Sequence, residues 1–350
     1  MKPPPISVLE NVPLAPLTTL GVGGPARYFF RARSEPDIAA AFEFARRRDV
    51  EVFVMGGGSN ILVSDTGFDG LVLQIGIRGI VTAAENDSGA SVLVTAAAGE
   101  DWDKLVGYCV DRDLAGIECL SGIPGFVGGT PVQNVGAYGQ EVSETIVAVR
   151  CYDRSTGRIL ELQNRDCGFA YRSSIFNSTH RNSYIVLAVT FRLVKGGDPK
   201  IVYKDLAEHL AGEVPSLRGT RAAVLAIRGA KSMVIDPGDP NSKSAGSFFK
   251  NPIVSADIFD SIASAYGPVP HFPASDGAVK IPAAWLIEKA GFHKGYVLGN
   301  AGISTNHSLA IINRGGASAA EIMTLKDRIA AAVHDRFGIE LTPEPVFVGY

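Results

Sequence analysis

At 350 residues, 46% apolar and 20% charged, the chain exceeds one typical domain and can bury a real core, which excludes a disordered or fibrous protein. A net charge of −3 without a basic run leaves no electrostatic footprint for nucleic acid, and no apolar run approaches the ~20 residues of a membrane span. In MKPPPISVLENVPLAP, proline stands where a secretory signal would carry its apolar stretch, so no export signal is read and the cytosol is the expected compartment.

In chain order, ARYFFRAR reads as a strand, and Ser34-Glu35-Pro36-Asp37 opens the helix DIAAAFEFARRR with a capping-box acid and an early proline. EVFVM follows as a buried strand before GGGSN. From about Leu71 to Leu193 the texture turns β-rich: LVLQI, SVLVTAAA, IVAVRCYD, RILELQ and YIVLAVTFRL, with RSTGR as a hairpin turn and DWDKLVGYCVDRD as a helix among them. From Tyr203 the chain is helix-rich again: YKDLAEHLAG, TRAAVLAIRGA, PAAWLIEKAG and a long amphipathic helix opened by the capping box Ser318-Ala-Ala-Glu321. The tail IELTPEPVFVGY is strand-like and broken by two prolines, which suits a closing segment at a sheet edge. Cys109, Cys119, Cys151 and Cys167 form no CxxC pair and read as small hydrophobes, and the six histidines form no HxH or HExxH cluster, so no metal site is expected.

Three glycine-rich stretches stand out: Leu20–Gly24, Gly56-Gly57-Gly58-Ser59-Asn60, and Gly122–Glu141, where six of twenty residues are glycine. Each alone is readily a tight turn. Together they point to backbone N–H groups converging on anionic oxygens, with a dinucleotide pyrophosphate as the natural guest. Neither GVGG nor GGGSN continues as GxGxxG into a helix, and no GK[ST] follows, so the Rossmann and P-loop fingerprints are both missing.

In order and spacing, TLGVGGPARYF, GGGSNILVSDTGFDGLVL, GIECLSGIPGFVGGTPVQNVGAYGQEV, YRSSIF, GSFFKNP and LTPEP resemble the UDP-N-acetylenolpyruvoylglucosamine reductases over nearly the whole chain. Tyr203 in YKDL resembles the form of that family whose tyrosine-bearing loop closes over the substrate. The resemblance implies an α+β fold: an FAD-binding domain of the vanillyl-alcohol-oxidase/PCMH type in two α/β subdomains, plus a C-terminal α+β substrate-binding domain. The texture of the chain sets their bounds at 1–76 (joined by the tail 340–350), 77–229 and 230–339. It implies reduction of UDP-N-acetylglucosamine enolpyruvate to UDP-N-acetylmuramate with NADPH and non-covalent FAD, in a cytoplasmic monomer without nucleic-acid or membrane partners. AKSMVIDPGDPNSKSAGS is longer than in the shortest members, and Thr342 stands where some carry a second glutamate.

By the same resemblance, Arg172 and Glu344 would stabilise the substrate carboxylate and Ser247 would donate the proton. The FAD would lie against Gly23, Gly56, Gly57, Gly58, Ser59, Asn60, Ser121, Gly122, Gly125, Gly129, Gly136 and Ala137. Tyr171, Tyr203, Lys231, Asn251 and His307 are the candidates for holding the nucleotide-sugar, with Lys250 beside them. Read without the resemblance, Arg172 and the lysines suit a solvated surface and Ser247 a structural serine. Two other functions stay open at this level: an FAD-dependent oxidase or dehydrogenase of another small molecule, and a non-catalytic nucleotide-sugar binding module.

Overall fold

The computed structural model describes residues 6–85, 89–212 and 214–350. The proline-rich start, on which the export reading leans, lies partly outside them. The chain forms two compact units that interleave along the sequence: 1–12, 26–58 and 69–234 make the first, and 13–25, 59–68 and 235–350 the second.

The first unit holds two sheets. Strands Leu9–Pro13, Pro25–Ala32, Phe68–Ile75 and Val52–Met55 lie in that spatial order, the last pair parallel with Val52 opposite Leu71. Helix α1 (Glu35–Arg48) makes the crossover between the strands ending at Ala32 and beginning at Val52. Its start is set by Ser34 and Asp37 in a capping box, its end by Asp49 at φ 52°, and Arg46 to Arg48 in the last turn complement the helix dipole. Ile38, Ala41 and Ala45 form its buried stripe at helical spacing.

The second sheet is antiparallel, ordered Ile159–Gln163, Ile146–Asp153, Tyr184–Lys195, Ser91–Ala97, Ile80–Ala84. The RSTGR hairpin closes as read: Asp153 accepts from the Ser155 N–H and from both the Ser155 and Thr156 hydroxyls. Helix α2 (Trp102–Asp111) is capped by Asp101, which accepts from Lys104 N, and buries Trp102, Leu105, Val106 and Cys109. Trp102 donates its indole N–H to Leu120 O at 3.0 Å, so the largest core side chain also fixes the start of the long glycine loop. Two helices complete the unit, α3 (Lys204–His209) and α4 (Leu217–Ala230), the latter capped by Ser216.

In the second unit the tail strand Val346–Val348 pairs in parallel with Ile61–Val63. Three-stranded antiparallel sheets form from Ile253–Val254, Val279–Lys280 and Phe272–Pro273, and from Val297–Leu298, Ala301–Ile303 and Ile311–Asn313. Helices α5 (Ala256–Tyr266), α6 (Ala283–Lys289) and α7 (Ala319–Phe337) pack on a core containing Phe248, Phe249, Leu286, Ile322, Leu325 and Ile329. The Ser318/Glu321 capping box opens α7 and Gly338, at φ 65°, ends it. Helix α5 and the short antiparallel strands of this unit are features the sequence reading did not resolve, while the strand-like tail is found at Val346–Val348.

Candidate functional site

Two sets of candidate residues are gathered, one in each unit. In the first, the three glycines after the strand Val52–Met55 meet the loop that begins at Ser121. A Cβ placed on Gly57 would stand 2.8 Å from the Gly125 Cα, so glycine there is what lets the two loops touch backbone to backbone. Buried Gln74 donates to Gly56 O at 3.0 Å and accepts from Arg31 at 2.7 Å, which holds the first loop from behind. The second loop is held by carboxylates. Glu118, fully buried, accepts from the Gly116 and Lys200 N–H groups at 2.7 and 2.9 Å and from Gln140 Nε2 at 3.2 Å. Ser121 donates its hydroxyl to Glu118 O at 2.6 Å, so that side chain serves the loop itself.

Asp103 accepts from Gly122 N at 2.6 Å and from both terminal nitrogens of Arg221 at 2.6 and 2.8 Å. Burial pushes the Asp103 carboxyl up, but the Arg221 fork and the Gly122 N–H outweigh it and hold it below its ordinary value. The loop is therefore clamped by an ionised carboxylate.

Whether this half suits a flavin dinucleotide can be tested on what the loops leave over. Nothing lies within 4 Å of a Cβ placed on Gly129, and the nearest atom to one on Gly56 is 4.0 Å away. Bare backbone therefore faces open space there. Arg228, 8% exposed, donates through Nη2 to Met233 O at 2.7 Å, while its buried Nε has no hydrogen-bond partner and lies 3.3 Å from the position of a Gly122 Cβ. A buried cation with an unspent donor packed against Gly122, in the loop whose Gly129 faces open space, fits an anionic, hydrogen-bonding guest. The sequence reading missed Arg228, although Leu217, Thr220, Val224 and Arg228 share the buried stripe of α4 and a charge on such a stripe is itself a signal.

Gly136 and Ala137 pair with Glu141 and Gln140 across a two-residue turn, Tyr138–Gly139, both at positive φ. Arg172 donates through Nη2 to Gly136 O at 2.8 Å, and a Cβ on Gly136 would stand 3.2 Å from its Nη1. Arg172 itself sits at φ 51°, held by Asn177 Nδ2, which donates to Arg172 O at 3.2 Å, and its guanidinium lies over the Tyr171 ring. A non-glycine residue kept in that backbone conformation is over-determined by its surroundings, as functional residues often are. Tyr203 meets Tyr138 edge to face with centroids 5.5 Å apart, and Lys231 Nζ reaches Asp205 at 3.1 Å. The tyrosine and lysine assigned to the nucleotide-sugar thus flank one patch of the first unit.

In the second unit, Ser247 and Glu344 come together. The segment Gly246–Lys250 runs between two others: Phe248 donates its N–H to Leu309 O at 2.8 Å, Glu344 donates its N–H to Phe248 O at 2.9 Å, and Lys250 donates its N–H to Thr342 O at 2.9 Å. His307 follows on the first flank, with Nε2 at 3.4 Å from Ser247 Oγ. Asn60 joins the second flank, its amide donating to Glu344 O at 3.2 Å and its carbonyl accepting from Val346 N at 3.0 Å. Ser59 O accepts from the Thr19 hydroxyl in the same unit. Asn251 spends its side-chain oxygen on Ala283 N at 2.9 Å and so caps α6.

Gly23 behaves unlike Gly56 and Gly129. It lies in the second unit, where a Cβ on it would stand 2.6 Å from the Val63 Cβ, and one on Gly24 would stand 2.3 Å from Asp65 O. Chain packing accounts for both, and neither faces open space. Among the described residues, no three His, Cys, Asp or Glu side chains are placed to hold a metal ion, and no helix is long and apolar enough to cross a membrane.

Residues 26–163 match a family model described as an FAD binding domain, and residues 239–348 match the UDP-N-acetylenolpyruvoylglucosamine reductase C-terminal domain. The chain is 47% identical to the UDP-N-acetylenolpyruvoylglucosamine reductase of Thermobifida fusca over 98% of each chain, and 42% identical to that of Mycobacterium tuberculosis over 98% of this chain and 95% of the other. Its fold matches the crystal structure of UDP-N-acetylenolpyruvylglucosamine reductase from Thermus caldophilus with a TM-score of 0.64 at 25% identity, over 98% of this chain and 99% of that one. The architecture is accordingly an N-terminal FAD-binding domain of the vanillyl-alcohol-oxidase/PCMH type followed by a substrate-binding domain, α+β throughout. By sequence along its whole length, this chain belongs to the UDP-N-acetylenolpyruvoylglucosamine reductase family.

Proposed function

We propose that Arg172, Ser247 and Glu344 carry the reduction that membership of this family assigns to the chain: UDP-N-acetylglucosamine enolpyruvate to UDP-N-acetylmuramate, with FAD as cofactor and NADPH as reductant. The observation that supports the reading best is the bracketing of Gly246–Lys250 by the His307 and Glu344 segments, which brings the backbones of Ser247 and Glu344 within one residue of a shared hydrogen bond. The direct test is NADPH oxidation by purified protein with and without the enolpyruvyl substrate. Oxidation indifferent to the substrate would favour an oxidase or dehydrogenase of another molecule.

Bound FAD supplies the two-electron relay from NADPH to the enolpyruvyl double bond. The residues named here handle the charge and the proton. As the terminal methylene is reduced, negative charge spreads from the neighbouring carbon into the substrate carboxylate, and a planar guanidinium such as that of Arg172 meets a carboxylate with two parallel donors. Ser247 gives its hydroxyl proton to the neighbouring carbon. Glu344 supports the enolic carboxylate, its backbone pinned on both sides by Phe248 and Asn60. Tyr203, Tyr171, Lys231, Asn251 and Lys250 are assigned to the nucleotide-sugar, with Tyr203 on the closing loop of the tyrosine-loop form.

The open glycines hold the cofactor, and a pair of substitutions separates that role from packing. Gly57→Ala drives a methyl into the Gly125 backbone and is expected to lower apoprotein stability by about 1–3 kcal/mol. Gly129→Ala meets no protein atom, so it is expected to leave the apoprotein within about 0.5 kcal/mol of the parent while weakening FAD binding at least about tenfold. Thermal melts of apoprotein and FAD titration measure the two effects. Unchanged FAD affinity in Gly129→Ala would remove that glycine from the cradle.

The flavin is expected to be non-covalent. Burial, with Glu118 next to it, pushes the Cys119 thiol up to about 12, and burial raises the Tyr138 phenol against the pull of Arg228 and Lys231, so neither is an ionised nucleophile at neutral pH. Acid precipitation should leave the yellow colour in the supernatant; colour retained by the pellet would overturn this.

Tyr203→Phe is expected to raise the substrate Kd about ten- to hundredfold with FAD affinity unchanged, the cost of one hydrogen bond to a diphosphate, roughly 1.5–3 kcal/mol. The Tyr138–Tyr203 ring contact survives the change, so fluorescence titration reads the hydroxyl alone. An unaltered Kd would take the tyrosine out of the site. The enzyme is further proposed to act as a cytoplasmic monomer; a dimer mass in light scattering at working concentration would contradict the second part.

A further inference from the structure

A serine that gave up its proton alone would be left as a high-energy alkoxide, so an acid this weak donates to carbon at a low cost only if a neighbour hands it a proton as it loses its own. A proton donor held beside Ser247 removes that cost. In the second unit, the described group within hydrogen-bond distance of Ser247 Oγ is the imidazole of His307, at 3.4 Å from Nε2.

His307 lies in a turn built to hold it still. Ser304 N donates to Ala310 O at 2.9 Å and Ala310 N donates to His307 O at 3.1 Å, closing the turn on itself. Asn241 Oδ1 accepts from Thr305 N at 2.9 Å on one side of the histidine, and the Ser308 hydroxyl donates to Glu288 of α6 on the other. The next residue, Leu309, accepts the Phe248 N–H at 2.8 Å, so the same backbone that presents the imidazole also registers it against the serine segment. Five hydrogen bonds over the seven residues Ser304–Ala310, with an imidazole at their centre and a partly buried serine hydroxyl at its Nε2, exceed what a solvated loop histidine needs.

We propose that His307, as imidazolium, reprotonates Ser247. This rests on the reading of Ser247 as proton donor. The Ser247 O–H bond breaks as the substrate C–H bond forms; the Nε2–H bond of His307 breaks as the Ser247 O–H bond is restored; neutral His307 then takes a proton from solvent. One solvent proton ends on the substrate carbon, and no electrons move in the relay. The charged or titratable residues on the segments bonded to the turn are Glu288 on α6, Asp239 and Lys243 on either side of Asn241, His293 and Lys294 before Gly295, and Lys250 and Glu344 on the segments joined at Phe248. Because the protonated ring is the working form, the relay fails as pH rises through the titration of His307. His307 acts through Ser247 and is a positioning and proton-supplying residue, distinct from the assignment of this histidine to the nucleotide-sugar.

The test uses FAD-loaded parent, Ser247→Ala, His307→Gln and His307→Ala proteins, with flavin content and thermal midpoint checked first. Stopped-flow absorbance follows reduction by NADPH and reoxidation by UDP-N-acetylglucosamine enolpyruvate across pH, the latter also with added imidazole. Expected for His307→Gln are unchanged reduction, unchanged substrate Kd, reoxidation slowed about ten- to hundredfold, and loss of the alkaline limb that the parent shows. Imidazole should restore part of the rate to His307→Ala and none to the same variant carrying Ser247→Ala. A raised Kd with an unchanged limb in His307→Gln would return the histidine to substrate binding and overturn the relay. If Ser247→Ala slows reoxidation while His307→Gln keeps the parent rate and limb, the relay alone falls. If Ser247→Ala itself reoxidises at the parent rate, the serine reading falls and takes the relay with it.

Discussion

Ser247→Ala is expected to leave reduction by NADPH at the parent rate and to slow reoxidation by the enolpyruvyl substrate about 100- to 10,000-fold, the usual consequence of removing a positioned general acid. The two half-reactions separate because only the second places a proton on carbon. The structure makes alanine a clean replacement. Ser247 is held through its neighbours: Phe248 is fully buried and bonded through its N–H to Leu309 and through its carbonyl to Glu344, and neither contact involves the serine hydroxyl. The contact that hydroxyl makes in the second unit, to His307, is 3.4 Å long and weak as a structural bond. Loss of the oxygen should therefore cost little stability, and thermal melts should show a midpoint close to the parent's. Equal slowing of both half-reactions would mean that the change had disturbed the site at large, and parent-like reoxidation would mean that the proton comes from elsewhere.

Much of the scaffold is legible because its signals are local. The Ser34/Asp37 and Ser318/Glu321 capping boxes fix the starts of α1 and α7 within a residue, and the Asp153 turn fixes the hairpin. The strands Val297–Leu298, Ala301–Ile303 and Ile311–Asn313 escape for the converse reason, since two or three residues show no period and only pairing defines them. In α5, Ser255 caps the start but Ile262 is the only fully buried side chain, so its apolar stripe is faint. The expected joining of the tail to residues 1–76 has its counterpart in the pairing of Val346–Val348 with Ile61–Val63, but texture does not show that residues 59–68 thereby group with 235–350. At the site, glycine is an ambiguous letter. Gly57 is bare because Gly125 crosses it, Gly23 because Val63 fills its place, and Gly129 because nothing of the protein does. Only the structure tells close packing from an open cradle.

Arg172→Lys is expected to slow reoxidation about 100- to 1,000-fold while sparing reduction by NADPH, the scale on which loss of one preorganised donor to developing charge is felt. Lysine keeps the positive charge, so the comparison isolates geometry. A point charge on a flexible stem lacks the planar fork that meets both carboxylate oxygens. Position 172 favours the fork further, because the guanidinium already spends Nη2 on Gly136 O at 2.8 Å and rests over the Tyr171 ring, so its plane is set before substrate arrives. The backbone at φ 51° is equally unfavourable for arginine and lysine, which removes strain as an explanation of any difference. Arg172→Met should be slower still, because charge is lost as well as shape, and the step from lysine to methionine reads the charge alone. Because Gly136 loses its partner in both variants, amide hydrogen exchange over residues 134–141 serves as the structural control. Reoxidation at the parent rate in Arg172→Lys would show that the carboxylate needs charge without a fork; parent rates in both variants would place the carboxylate's partner at another residue.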